Sequence, residues 1–554
     1  MKSSILFGAG ALGAHNPRQD GASTVDYTLE PGNLSTLANG SLFETWRPRA
    51  HVLPPFGQIG DPCGHYVDTE TGSFHIGFLH NGAAGAITDD LVTYTDLNPD
   101  GAPFIKAGGL NDPVAVFDGT VINAGIDGLP TFLYTSVSYL PIQWTIAYTR
   151  GSETQSLAVS YDGGRNFAKL EQGPAIPAPP FAHDPGFQYW EELGQWWHEP
   201  ANTTWGNGDW AGRWGFNFEV SNVFTLDEAG FSHDGTFFTT LGAEWSLDPI
   251  VPQVSDFRDS LWVSGEVGIE NGEAKFNPTF AGKLDWGDSA YASHGQVVPA
   301  TSQPSKKRWR AGSLHHDFNW TGALLLPREL SIGNISSVVD NELAREVGAW
   351  KTSSNESGIV ELTTLHQQIA REPLAAMLNG TFCTEESRNL SSSDVVPFEK
   401  SPGSKFFVLQ AAITFPSSAR QSASKAGFQI LASEHEATTV YYQFSNESII
   451  VDRTNTSAAA KTTNGIDSRN EAGRLRLFDI AKNDEVVVET LELTIVVDNA
   501  VVEVHANGQF ALSTWARSWY SNSTGIRFFS EGDDAIVFKD IIVHEGLYEA
   551  WPER

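Results

Sequence analysis

Helical periodicity is almost missing from this chain, and that constrains its fold more than any other feature. The apolar residues come in short alternating runs, such as Phe74-His75-Ile76-Gly77-Phe78-Leu79 and Thr131-Phe132-Leu133-Tyr134-Thr135, separated by clusters of Gly, Pro, Asn and Asp. Alternation at a period of two lays one face of a strand against a core, and the clusters supply the turns. The pattern predicts an all-β protein, either sandwich or propeller. Beyond roughly Glu361 the strands lengthen, as in Phe406-Phe407-Val408-Leu409, Thr439-Val440-Tyr441-Tyr442 and Leu491-Glu492-Leu493-Thr494-Ile495-Val496-Val497-Asp498. The run from Val501 to Gly508 reads as a strand entering a tight turn.

A chain of 554 residues can bury two or three separate cores. Its formal charge of −32, from 35 basic and 67 acidic residues, repels phosphate backbones and anionic bilayers. Nucleic acid and membrane are therefore not expected as partners, whereas a neutral sugar feels no such repulsion. Seventeen Trp residues could offer flat faces to sugar rings, although most belong in cores because an indole buries large area wherever it sits. No His/Cys cluster stands at ligand spacing and no Gly-rich phosphate loop occurs, so neither metal nor cofactor is expected. Cys63 and Cys383 lie far apart and leave one bridge or two free thiols open. Sequons at Asn33, Asn39, Asn202, Asn319, Asn334, Asn355, Asn379, Asn389, Asn446, Asn455 and Asn522 point to a secreted, extracellular glycoprotein. Residues 1–20 agree: Lys2 precedes the apolar stretch Ile5–Leu12 in the manner of a signal peptide, with a disordered segment as the alternative. No stretch approaches the length of a membrane span.

Several segments carry a more specific message. Trp46-Arg47-Pro48-Arg49 leads to Gln58-Ile59-Gly60-Asp61-Pro62-Cys63; then follow Asn111-Asp112-Pro113, Tyr148-Thr149-Arg150-Gly151-Ser152-Glu153-Thr154, Gly215-Phe216-Asn217-Phe218-Glu219 and Leu326-Pro327-Arg328-Glu329-Leu330. In kind and in order they resemble glycoside hydrolase family 32, the invertases, inulinases and fructosyltransferases, from about Asn33 to Arg554. Ser160-Tyr161-Asp162-Gly163-Gly164-Arg165-Asn166-Phe167 resembles a hairpin turn that recurs in carbohydrate-handling propellers, although Asp-Gly-Gly is also a general hairpin turn. The resemblance implies a five-bladed β-propeller over 21–368, whole or one blade short, a linker over 369–385 and a β-sandwich over 386–554. Pro373 to Ser393 is the expected hinge, with room for the chain's one short helix.

The resemblance also implies chemistry. Cleaving or transferring a fructosyl unit with retention needs two carboxyl groups, one to attack the anomeric carbon and one to protonate the departing oxygen. These roles fall on Asp61 and Glu219. Turn amides and polar neighbours are expected to keep Asp61 ionised, and the apolar strand Phe216-Asn217-Phe218-Glu219-Val220 to keep Glu219 protonated. Each residue has a plainer reading: Asp-Pro is an ordinary turn former, present also at Asp112, Asp184 and Asp248, and Glu219 could be an edge-strand surface charge. Arg49, Asp118, Arg150, Glu153, Glu244 and Tyr291 match family positions near the pocket, so sugar binding is implied for them. The family's Arg-Asp-Pro motif, whose Asp steadies the transition state, occurs nowhere in this chain. Asp184, in His183-Asp184-Pro185, is a candidate substitute, but its flanks resemble segments from either side of that motif, as if a blade's worth of chain were deleted near His183. Gln143 and Arg258 stand where related enzymes look to have His, and Lys307–Ser313 departs from the expected strand. The expected activity is sucrose and fructo-oligosaccharide cleavage. The alternative is a catalytically impaired carbohydrate-binding relative, or a truncated gene product. A homodimer stays open.

Overall fold

The computed structural model describes residues 25–554, apart from 38–40, 143–148, 178–202, 207, 213, 215–216, 245–257, 299–305, 309–310, 313–319, 354–357, 392 and 423. Asp184 and Gln143 lie outside the described residues, as do residues 1–20 and, within 307–313, residues 309, 310 and 313.

Short alternating strands pair with their sequence neighbours, as turn-punctuated alternation demands. The first sheet joins Tyr66–Val67, Phe74–Leu79, Ala83–Thr88 and Thr95–Asp96; the second joins Ala115–Ile122, Thr131–Val137, Glu153–Val159 and Ala168–Lys169. A third holds Asn217–Asp227, Gly230–Phe231, Thr236–Glu244, Arg258–Glu270 and Glu273–Asp285, and a fourth is built around Arg328–Val339 and Ile359–Ile369. These are the blades of a β-propeller. Among the described residues four sheets of four or more strands lie in this half, where the resemblance implies five blades. Gly57 and Gln58, ahead of the first sheet, pair in parallel with Trp320 and Thr321, ahead of Arg328–Val339. The Ser160 turn joins two strands of the second blade: Ser160 Oγ donates to Asp162 Oδ1 (2.9 Å) and accepts from the Gly164 N–H (2.7 Å).

The C-terminal half is a β-sandwich. One sheet contains Phe406–Thr414, Leu491–Asp498, Val501–Ala506 and Ile536–Glu545, the other Lys425–Ala432, Thr438–Gln443, Ser448–Asp452 and Gly525–Glu531. Between them Phe407, Leu409, Phe428, Ile495, Phe528 and Phe538 form a closed core. Within 369–385 the chain forms a helix at Arg371–Leu378 and then a strand of the sandwich at Thr381–Glu385. A second short helix, Glu342–Arg345, sits in the propeller half, so the expectation of one helix is corrected to two among the described residues. Cys63 and Cys383 are free thiols, the first in the propeller core and the second on the sandwich.

Two features tie the halves together. His51 donates to Asp498 (2.6 Å) and Glu503 (3.0 Å), while Arg328 reaches Asp285 (2.7 Å) and Glu503 (3.2 Å), and all five groups are buried. The last residues fold back onto the first blade, where Ala550 and Trp551 share a core with Val52, Ile76, Phe78 and Tyr94. Hydrogen bonds from the Ala550 N–H to the Arg49 carbonyl and from Trp551 Nε1 to the His51 carbonyl fix the tail there.

Candidate active site

Asp61 lies on a segment that runs beside Phe74–Leu79. The Gly60 N–H donates to the Leu79 carbonyl (2.7 Å), the Leu79 N–H to the Asp61 carbonyl (2.9 Å) and the Cys63 N–H to the Gly77 carbonyl (3.0 Å). Only glycine fits at 77, since a Cβ there would lie 2.0 Å from the Cys63 carbonyl oxygen. The turn is thus clamped on both sides of the half-buried Asp61.

Glu219 stands on Asn217–Asp227 opposite Gly242. The register slips between Glu219 and Asn222, with Val220 in the left-handed region at φ 48. Such a bulge re-aims side chains. Tyr291 donates from its hydroxyl to Glu219 Oε2 (3.3 Å). Its ring lies against Gly242, where an added Cβ would come within 2.8 Å of it.

Asp118 supplies the third acid. It sits on Ala115–Ile122 within a register slip between Val116 and Gly119. Its Oδ1 is buried and has no hydrogen-bond partner among the described residues. Burial, with the charges of Asp61 and Glu219 added, pushes its carboxyl well above the ordinary value. Burial likewise raises the Cys63 thiol, with Asp118 and Asp61 contributing. Asp61, Asp118 and Glu219 therefore share one electrostatic neighbourhood, with Tyr291 at its edge.

The remaining sequence candidates separate. Arg49 is not brought to the acids: its guanidinium lies 4.0 Å from the Phe406 ring centroid on the sandwich. Arg150 is exposed in the turn before Glu153–Val159, and Glu153 opens that strand half-buried. The backbone of Glu244 pairs with that of Arg258; both side chains lie outside the described set. Asp112 is a structural hub, buried and bonded to Tyr134, Lys169 and the Gly109 N–H. Sequence reasoning passed over His65, which bonds the Gly77 N–H beside the Asp61 turn, His294, whose ring meets that of His65, and Asn222, which closes the Glu219 bulge. His65 stood in plain view four residues after Asp61. Among the described residues no acid or His/Cys group forms a metal cluster, and no helix is long and apolar enough to cross a membrane.

A propeller with three acids converging on one site, packed against a sandwich, has the architecture of a glycosidase. A family model for the C-terminal region of glycosyl hydrolases family 32 matches residues 379–545. The β-fructofuranosidase of Aspergillus kawachii, solved with glycerol, is 56% identical and superposes with a TM-score of 0.92 over 96% of this chain and 100% of its own. For the fructosyltransferase of A. japonicus the values are 49%, 0.91, 96% and 100%. Among curated relatives, an extracellular exo-inulinase of Meyerozyma guilliermondii is 27% identical over 174 residues, 29% of this chain; the match spans 30% of that protein's length. The chain belongs to glycoside hydrolase family 32.

Proposed function

We propose that this protein is a secreted β-fructofuranosidase or fructosyltransferase that cleaves the fructosyl bond of sucrose and fructo-oligosaccharides with retention. The observation that carries this reading is the convergence of Asp61, Asp118 and Glu219. In the reaction, the Asp61 carboxylate attacks the anomeric carbon of the fructosyl ring. Glu219 gives its proton to the departing glycosidic oxygen, leaving a covalent fructosyl–enzyme and a Glu219 carboxylate. Glu219 then takes a proton from water or an acceptor sugar, whose oxygen attacks the same carbon and releases Asp61. Tyr291 orients Glu219 throughout. Asp118 holds a ring hydroxyl in this reading, which its Oδ1, buried and unbonded among the described residues, supports. The dense sequons and the relative named extracellular support secretion.

The lack of Arg-Asp-Pro favours a second reading, a relative that binds sugar but turns it over poorly. Removing one preorganised charge partner costs about 10²–10³-fold in rate. Sucrose turnover by the purified protein, with products separated and Asp61→Ala and Glu219→Ala as controls, tests both. Turnover abolished by each substitution is expected. A folded protein with no turnover above the controls would replace the first reading with the second.

A further inference from the structure

Two buried histidines, one of them bonded to the strand that flanks the Asp61 turn, have no part in the proposed chemistry. His65 is 1% exposed, and its Nδ1 accepts from the Gly77 N–H at 3.0 Å, which assigns the proton of the neutral ring to Nε2. Gly77 is the residue that clamps the Asp61 turn. The His65 ring meets His294 edge to face, with centroids 4.6 Å apart and planes at 89°. His294 is 8% exposed and lies between Ser293 and Gly295. Asn222 holds both neighbours: its Nδ2 donates to the Ser293 carbonyl (2.7 Å), and its Oδ1 accepts from the Gly295 N–H (2.9 Å). Asn222 is also the residue that ends the bulge begun at Glu219, where its Nδ2 reaches the Val220 carbonyl (3.1 Å). An unbroken line of contacts therefore runs from Gly77 through His65, His294 and Asn222 to the Glu219 bulge.

We infer that His65, His294 and Asn222 form a brace that fixes the turn of Asp61 relative to the strand of Glu219, which makes the two histidines positioning residues; the catalytic meaning of the brace rests on the proposed fructosidase reading. The two carboxyls come from blades far apart in sequence, and backbone pairing within each blade says nothing about the spacing between blades. A contact that crosses from one to the other is what sets it. Burial, with His294 adding to it, holds His65 well below its ordinary pKa, so the ring stays neutral and close approach of the two rings carries no charge repulsion.

The test combines turnover with melting. Because a misplacement of about 1 Å can cost about 10²-fold, His294→Ala is expected to lower kcat about 10–100-fold with KM within about twofold. His294→Phe keeps a flat ring against His65 and is expected to recover most of that loss. Melting temperatures of His65→Ala, His294→Ala and the double variant are expected to be non-additive, the double variant falling little below the worse single one. Additive melting shifts, an unchanged kcat in His294→Ala, or no recovery in His294→Phe would overturn the brace. A wild-type protein without sucrose turnover overturns the fructosidase reading alone, since the melting cycle still decides whether the brace exists.

Discussion

Asp118 carries a buried carboxyl oxygen that no hydrogen bond satisfies among the described residues, beside two further acids. Such a group strains the resting protein and suits a site that waits for a ligand. Its folded pKa lies above its unfolded one, so its contribution to stability is intact below about pH 4 and is lost as pH rises through the folded value. Asp118→Asn is therefore expected to raise the melting temperature by about 2 °C at pH 7 and to leave it nearly unchanged at pH 4. Activity should move the other way, because sites tuned for function give up stability: Asp118→Ala is expected to reduce kcat/KM about 10²-fold. Tyr291 acts more mildly. Its hydroxyl faces the carboxylate that Glu219 becomes on giving up its proton, and a hydrogen bond to a charged group is worth about 1.5–3 kcal/mol, so Tyr291→Phe should lower kcat at least about 10-fold with little change in melting.

At the scale of elements, Glu219 stands opposite Gly242, whereas Asp61 stands opposite Leu79, with Gly77 facing Cys63 two residues on. Gly77 lets the Asp61 segment come close enough to hydrogen-bond, and a Cβ there would meet backbone at 2.0 Å. Gly77→Ala is expected to cost upward of about 3 kcal/mol, read as a loss of soluble protein or a large fall in melting temperature. The alternation in Phe74–Leu79 was legible in the sequence because period-two burial is a local property of the chain. The proposed catalytic pair, Asp61 and Glu219, was named from motifs readable along a few residues. The role of Asp118 as third acid was only half legible, as a match near the pocket, because its burial comes from strands far away in sequence. Arg49 shows the opposite failure. Its neighbour Trp46 and the following Asp61 motif suggested a place in the pocket, yet Phe406, from the other half of the chain, takes its guanidinium. Nothing local to Arg49 announces that partner, nor the pairing of His65 with a histidine more than two hundred residues on.

The whole molecule is held at its waist by buried ions. Burial opposes the charge on His51, but hydrogen bonds to Asp498 and Glu503 outweigh it and raise its pKa to about 9. Its stabilisation is complete below the ordinary value of 6.5 and fades as pH rises through about 9. Glu503 works in the other direction: burial resists its charge, hydrogen bonds from His505 and His51 and the charge of Arg328 prevail, and its contribution present above pH 4.5 is lost as pH falls. Thermal unfolding should thus show a stability plateau with shoulders on both sides. His51→Ala, which leaves two carboxylates facing each other, should remove the alkaline shoulder and cost about 3–5 kcal/mol. The tail that seats Ala550 and Trp551 against Ile76 and Phe78 bears on how the protein is made. Domains usually fold in the order in which they leave the ribosome. Here the strand that clamps the Asp61 turn lacks part of its packing until Ala550 and Trp551 have emerged, so a nascent chain stalled after the propeller is expected to hold its blades with the Asp61 turn still loosely packed.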